Sequence, residues 1–174
     1  EEAKYHDALT PLRSAQDIIR HVTDGMELAR QHSLPAPVSD FILTHHGTNC
    51  VTYFYNKFVN AGGDENLRSE FCYPGRKPQT KEQAILMICD SLDAASRTLK
   101  NHSPEAVSAF VEKIVQQKID DAQLEEADLT LKELATVKSV LKSYISQINH
   151  ERIKYPERKN KDNYYITGTS VFTE

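Results

Sequence analysis

Thr44-His45-His46-Gly47-Thr48 is the stretch of this 174-residue chain with the plainest chemical content. Two adjacent histidines close an apolar run, Phe41-Ile42-Leu43, and a glycine follows at once. Neighbouring residues on a helix point about 100° apart, so both rings can address one centre only where a helix ends or bends. Gly47 predicts that end, because glycine accepts the left-handed conformation that stops helices. Neutral imidazole is the commonest protein metal ligand, and two at one helix end make half a metal site. The competing reading is a pair of surface histidines in a loop. His21 is a third imidazole, and Asp90 interrupts the apolar run Leu86-Met87-Ile88-Cys89. A carboxylate buried there would need a partner or a metal, because an unpaired buried charge is very costly. Three imidazoles and a carboxylate suit a zinc, manganese or iron site that activates water.

The elements that must position these groups read as helices. Residues 1–9 are expected to be irregular. Thr10-Pro11 reads as an N-cap followed by proline at the first helical position. Leu12, Ala15, Ile18, Ile19, Val22, Met26 and Ala29 recur at helical spacing and predict a helix over 11–31. His21 lies on its apolar edge, where a lone histidine is more often a packed boundary residue than a ligand. Gly25, inside that helix, predicts a close approach by another element. A short helix over 38–45, with Ser39 as the candidate cap, follows Leu34-Pro35-Ala36-Pro37. An aromatic helix covers 50–60. Residues 62–79 read as a long loop, hence a lid or a disordered segment. Thr80 to Gln83 opens a strongly apolar helix, with Gln83 placed for a capping box. Further helices are expected over 104–120 and 130–154, the second stopping at Tyr155-Pro156 and turning Ile148 inward. Residues 157–174 read as a polar tail. No strand alternates convincingly, so the class is all-α.

Composition narrows the function. Charged residues are 26% of the chain and the net charge is −4, with a pI near 6.0. No global field pulls such a chain toward DNA, RNA or a membrane. Three widely spaced cysteines, Cys50, Cys72 and Cys89, form no CxxC pair, and their odd number argues against a disulfide framework. A reducing, cytoplasmic setting is the expectation. No apolar run approaches a membrane span, and no signal peptide is read at the start. The chain opens on Glu1-Glu2 without methionine, which suggests a piece of something longer.

The order of motifs carries more than any one of them. His21-Val22-Thr23-Asp24-Gly25-Met26-Glu27-Leu28-Ala29, Leu34-Pro35, Asp40-Phe41-Ile42 and His45-His46-Gly47-Thr48 follow one another. Tyr53-Phe54-Tyr55, Phe71-Cys72-Tyr73-Pro74-Gly75, Lys77-Pro78, Thr80-Lys81-Glu82, Ala84-Ile85-Leu86-Met87, Asp90-Ser91 and Ala94-Ala95-Ser96-Arg97 continue the series. From about residue 3 to residue 156 the chain resembles the later part of an HD-superfamily phosphohydrolase domain of the bacterial seven-transmembrane-receptor type. These are the PgpH-like cyclic di-AMP phosphodiesterases.

The resemblance implies an all-α, HD-domain-like helical bundle, truncated at its N-terminus, with a partial HD domain over 1–156. It implies hydrolysis of cyclic di-AMP to the linear dinucleotide pApA by a membrane-bound parent, of which this is a cytoplasmic domain at the inner membrane. It implies two divalent metal ions, iron or manganese. Matched by motif, the ligands here are His21, His45, His46 and Asp90. The family's first histidine and its His-Asp dyad have no counterpart. His6-Asp7 looks like the dyad but lacks the Gly-Lys that follows it in the family. This chain is therefore expected to hold at most one metal weakly and to hydrolyse poorly. Arg97, two turns beyond Asp90, is the expected phosphate-binding cation, with Lys77 and Lys81 as weaker candidates. Tyr53 and Tyr55 could stack on adenine or simply pack in the core.

Two other classes remain open at this point. One is a degenerate HD domain that binds a nucleotide or a partner without cleaving it. The other is a structural helical domain, with the 130–154 helix as a candidate homodimer face. Cyclic di-GMP is a further substrate to weigh, but that branch carries Gly-Tyr-Pro after its histidine pair, where this chain has Gly47-Thr48-Asn49.

Overall fold

The computed structural model describes the backbone of residues 2–151 and the side chains of residues 5–147. Among them the architecture is helical, with an isolated antiparallel bridge between Cys50 and Cys72 as the sole extended pairing. The end of the last helix at Tyr155-Pro156, the inward turn of Ile148, the 1–156 boundary and the 157–174 tail lie outside the described residues.

Helix α1 spans Glu2–Asp7, where an irregular lead-in was expected. Helix α2 spans Pro11–Gln31, and Thr10 Oγ1 accepts from the Arg13 N–H at 3.3 Å. That cap satisfies one of the four amides a helix start leaves unpaired. Helix α3 spans Ala36–Thr44 and α4 spans Thr52–Asn60. Ser39 is not the cap of α3. Proline starts that helix two residues earlier than expected, and the Ser39 hydroxyl donates back to the Ala36 carbonyl. Helices α5 (Lys81–Ser96), α6 (Pro104–Asp120) and α7 (Leu131–Glu151) complete the chain. Gln83 accepts from the Gln79 N–H at 2.8 Å, one residue upstream of the expected capping box. A reciprocal box does form at α7: Thr130 Oγ1 accepts from the Glu133 N–H and Glu133 accepts from the Thr130 N–H.

Two apolar clusters hold these helices. Ile88 and Leu92 of α5, Val107, Val111 and Val115 of α6, and Leu134 and Ile145 of α7 form the larger one. Each such side chain contributes roughly 1.5–3 kcal/mol when removed from water. The smaller cluster gathers Ala15, Phe54 and Phe71, so α2 and α4 pack together. Helix α3 bridges the halves, touching α2 on one side and α5 on the other. Gly25 admits that bridge, since a β-carbon on it would stand 3.0 Å from Ile42 Cγ2.

Residues 62–79 are more ordered than a lid. A 3₁₀ helix spans Glu65–Phe71, capped by Asp64, and Phe71 is fully buried. The Val51 N–H donates to the Phe71 carbonyl at 2.7 Å, and the Tyr73 N–H to the Asn49 carbonyl at 2.8 Å. A disulfide joins Cys50 to Cys72 inside this pairing, which corrects the expectation of unpaired thiols. An odd count of cysteines could not reveal it, because the bridge depends on two distant segments meeting. Cys89 is the free thiol.

Candidate metal centre

His45 and His46 follow the last residue of α3, where the chain turns out of the helix. Gly47 makes that turn at φ +56°, in the left-handed region. A β-carbon on Gly47 would also collide with Gln123 Oε1 and Met87 Cε, so the loop is pressed onto the elements below it. Gln123 holds it there. Its Oε1 accepts from the Thr48 N–H at 3.0 Å and its Nε2 donates to Thr48 Oγ1 at 3.0 Å. Gly75 lies against the same turn, where a β-carbon would run into the Leu43 carbonyl oxygen.

The three imidazoles meet. His21 on α2 lies 5.3 Å from His45 and 5.0 Å from His46, ring centre to ring centre. One nitrogen from each lies within 4.8 Å of the others. Backbone carbonyls set two of the tautomers. His21 Nδ1 lies 2.5 Å from the Ile18 oxygen, and His45 Nδ1 lies 2.9 Å from the Ile42 oxygen. A carbonyl can only accept, so both Nδ1 atoms carry a proton, and in the neutral rings both Nε2 atoms present lone pairs. Those two Nε2 atoms are 3.1 Å apart. Bare lone pairs at that distance repel, and a cation between them removes the repulsion. Ligand nitrogens bonded at about 2.0–2.1 Å stand about 2.9 Å apart on an octahedral centre and about 3.4 Å on a tetrahedral one. The observed spacing falls between, so the residues fit a divalent metal.

His46 and His45 are half-buried, whereas His21 is exposed. Burial, then the neighbouring His45 and His21 and the Lys118 ammonium, push the His46 pKa down to about 3. His46 is therefore neutral, the form that ligates. Tyr73 stacks on it at 4.3 Å with the planes 22° apart. Burial and the Asp90 charge raise the Tyr73 pKa to about 12, so its hydroxyl keeps its proton.

Asp90 on α5 departs from expectation in one respect. Its side chain is 40% exposed rather than buried, because α5 turns this position toward the cleft edge. Its Oδ2 lies 3.5 Å from His46 Nδ1. It stands beside the three-histidine group without belonging to it. His6 packs against Phe54 in the smaller apolar cluster's neighbourhood, and neither it nor Asp7 is in the group.

Of the expected substrate-binding residues, Lys77 lines a cavity beside Thr48 and Asn49, and none belongs to the three-histidine group. Arg97 ends α5 and reaches Asp93 at 4.0 Å, not Asp90. Lys77 pairs with Glu125 at 3.3 Å and Lys81 with Glu133 at 2.6 Å. Tyr53 is 70% exposed and makes an edge contact with Phe54. Tyr55 packs on Phe71 and donates its hydroxyl to the Glu65 carbonyl, which is a core role. Three residues around the histidines were not assigned a role by sequence reasoning: Tyr73, Gln123 and Lys118. The Phe71-to-Gly75 motif marked Tyr73, whereas nothing in spacing pointed to the other two.

No protein-family model matches the chain. It is 42% identical over 156 residues to the cyclic-di-AMP phosphodiesterase PgpH of Bacillus subtilis, covering 90% of this chain and 22% of that protein. It is 36% identical over 155 residues to PgpH of Listeria monocytogenes, covering 89% and 21%. The chain thus spans about a fifth of the length of these curated relatives. Among solved structures, it superposes on the HD domain of L. monocytogenes PgpH in complex with cyclic-di-AMP. The TM-score there is 0.77 at 36% identity, over 86% of this chain and 70% of that one. A second crystal structure of the same domain gives 0.75 at 34% identity, over 83% and 67%. At this identity and coverage, the chain belongs to the PgpH HD-domain family.

Proposed function

We propose that this chain is the metal-binding half of a phosphodiesterase that hydrolyses cyclic di-AMP to pApA. The observation that carries the reading is the pair of Nε2 lone pairs on His21 and His45, 3.1 Å apart and each fixed by a backbone carbonyl. The names of both PgpH relatives and the ligand of the solved HD domain support the substrate. His21, His45 and His46 hold one divalent ion, and Asp90 serves a second. The intact domain uses iron or manganese. Bound there, the metals supply Lewis acidity toward a phosphoryl oxygen and toward water. Hydrolysis opens one P–O3′ bond: a water oxygen joins phosphorus and the 3′-oxygen leaves with a proton. The chain's own part is orientation. Carbonyl bonds to Nδ1 aim the imidazoles, and such partners are worth 10–100-fold in metal affinity, to order of magnitude, roughly as elsewhere. Tyr73 covers one face of His46 and excludes water from it.

The parent is a membrane protein and this domain faces the cytoplasm, a reading that rests on the family. No described helix is long and apolar enough to cross a membrane. A homodimer through α7 is supported by Leu131, Val140 and Tyr144, which are exposed on it. A degenerate, non-cleaving domain is not favoured, since both named relatives are phosphodiesterases.

Incubating the purified full-length parent with cyclic di-AMP and manganese or iron, and separating products by chromatography, tests the assignment. Linear pApA is expected. Intact substrate with both metals would sink it. The 174-residue chain alone is expected to turn over poorly, because the family's His-Asp dyad is missing from the three-histidine group. Robust manganese-dependent turnover by this chain would bring His6 and Asp7 back as ligands.

A further inference from the structure

We infer that Lys118, in the last turn of α6, is the cation that receives a phosphate of the substrate beside the histidine cluster.

The inference starts from where α6 ends. The Gln123 N–H donates to the Lys118 carbonyl at 2.9 Å, which folds the chain back after the helix. The same Gln123 grips Thr48 through both its side-chain atoms, two residues beyond His46. Gln117 of α6 and Asp121, the residue that caps it, line a cavity of about 430 Å³ together with Thr48, Asn49, Arg68 and Lys77. The last turn of α6 therefore runs alongside the loop that carries the histidine pair. The Lys118 charge bears on His46 from one side, and the Asp90 charge bears on Lys118.

The state of the ammonium is the second observation. Lys118 is half-buried and has no hydrogen bond or ion pair through its side chain among the described residues. Burial pulls its pKa down, and the Asp121 and Asp90 charges oppose that. Other cations near the cleft are paired, Lys77 with Glu125, Lys81 with Glu133, Arg76 with Asp40 and Arg97 with Asp93, while Arg68, which also lines the cavity, is exposed and lies over the Tyr55 ring. The other described lysines without an acidic partner, Lys57, Lys100, Lys113 and Lys132, are exposed and solvated. A half-desolvated, unpaired ammonium costs free energy unless an anion completes it. Beside a centre built for a phosphodiester, that anion is a phosphate oxygen. Lysine is a common phosphate-binding residue, acting as a point charge. The role rests on the substrate class proposed above.

Calorimetric titration of the metal-loaded chain with cyclic di-AMP, and with adenosine as an uncharged control, tests it in the wild type, K118M, K118R and K113M. Losing one charge-assisted contact is expected to weaken cyclic di-AMP binding about 10- to 100-fold in K118M. K118R should stay within a few-fold of wild type, and K113M should not differ from it. Adenosine affinity and zinc affinity should be unchanged in K118M, and raising salt should weaken the wild type more than K118M. Equal binding of cyclic di-AMP by wild type and K118M overturns the role of Lys118 alone. So does an equal loss for adenosine, which would make Lys118 a packing residue. Failure of the wild type to bind cyclic di-AMP with any metal overturns the assigned substrate, and this role with it. If K118M does not fold, K118R against wild type at low and high salt still decides, since a retained charge must retain the salt response.

Discussion

Gly47→Ala is the sharpest probe of how the histidine pair is held. The position has φ +56°, and a β-carbon there meets Gln123 Oε1 and Met87 Cε. The left-handed conformation costs a non-glycine residue about 1–2 kcal/mol. To clear the methyl group, Gln123 must swing away and give up its bonds to the Thr48 N–H and Oγ1. Two such bonds contribute about 0.5–1.5 kcal/mol each. The expected loss is therefore about 2–5 kcal/mol, a melting temperature lower by about 4–20 °C for a chain of this size. Urea melts of G47A, Q123A and the double variant measure it. Q123A already lacks both bonds, so the double variant should cost less than the sum of the singles by about 1–3 kcal/mol. Additive losses, or a G47A cost below about 0.5 kcal/mol, would refute the claim that Gln123 pins this turn.

Three further outcomes follow from other parts of the molecule. His46→Ala should abolish zinc binding in calorimetry, while Asp90→Ala should leave measurable binding, weakened by about 10- to 100-fold at most, as for an outer partner of a ligand; equal losses would put Asp90 on the histidines' metal. The Glu133 pKa is held near 2, chiefly by the Lys81 ammonium, against an ordinary value of 4.5. A depressed carboxylate pKa stabilises the fold above the unfolded value, so thermal stability should fall as pH drops from 4.5 toward 2, and E133Q should flatten that fall. Cys72→Ser opens a loop whose ends are 22 residues apart; by chain entropy it should cost about 3 kcal/mol in denaturant melts under oxidising conditions, and no cost would mean the bridge does not form in solution.

The sequence alone determined the helices with strong periodicity and proper caps. Thr10-Pro11 sets the start of α2, and α6 begins at the expected residue 104 behind a Ser103 cap, because capping and the apolar repeat are local properties. It also determined the family, since ordered motifs survive without knowledge of contacts. The meeting of His21 with His45 and His46 was legible only through that order. Nothing local says that an edge position of α2 faces the end of α3; packing through Gly25 against Ile42 decides it. Tertiary structure alone decided the rest. Asp90 interrupts an apolar run and reads as buried, yet α5 sits at the cleft edge and leaves it half-exposed. Arg97 shares a helix with Asp90, but the end of α5 pairs it with Asp93. Cys50 and Cys72 bond because the 3₁₀ segment returns to the loop after the histidines. Lys118 and Gln123 lie more than seventy residues from His46 in sequence, and only the packing of α6 on α5 brings them to it. Pair energies across such distances depend on where whole helices settle, and no spacing along the chain encodes that.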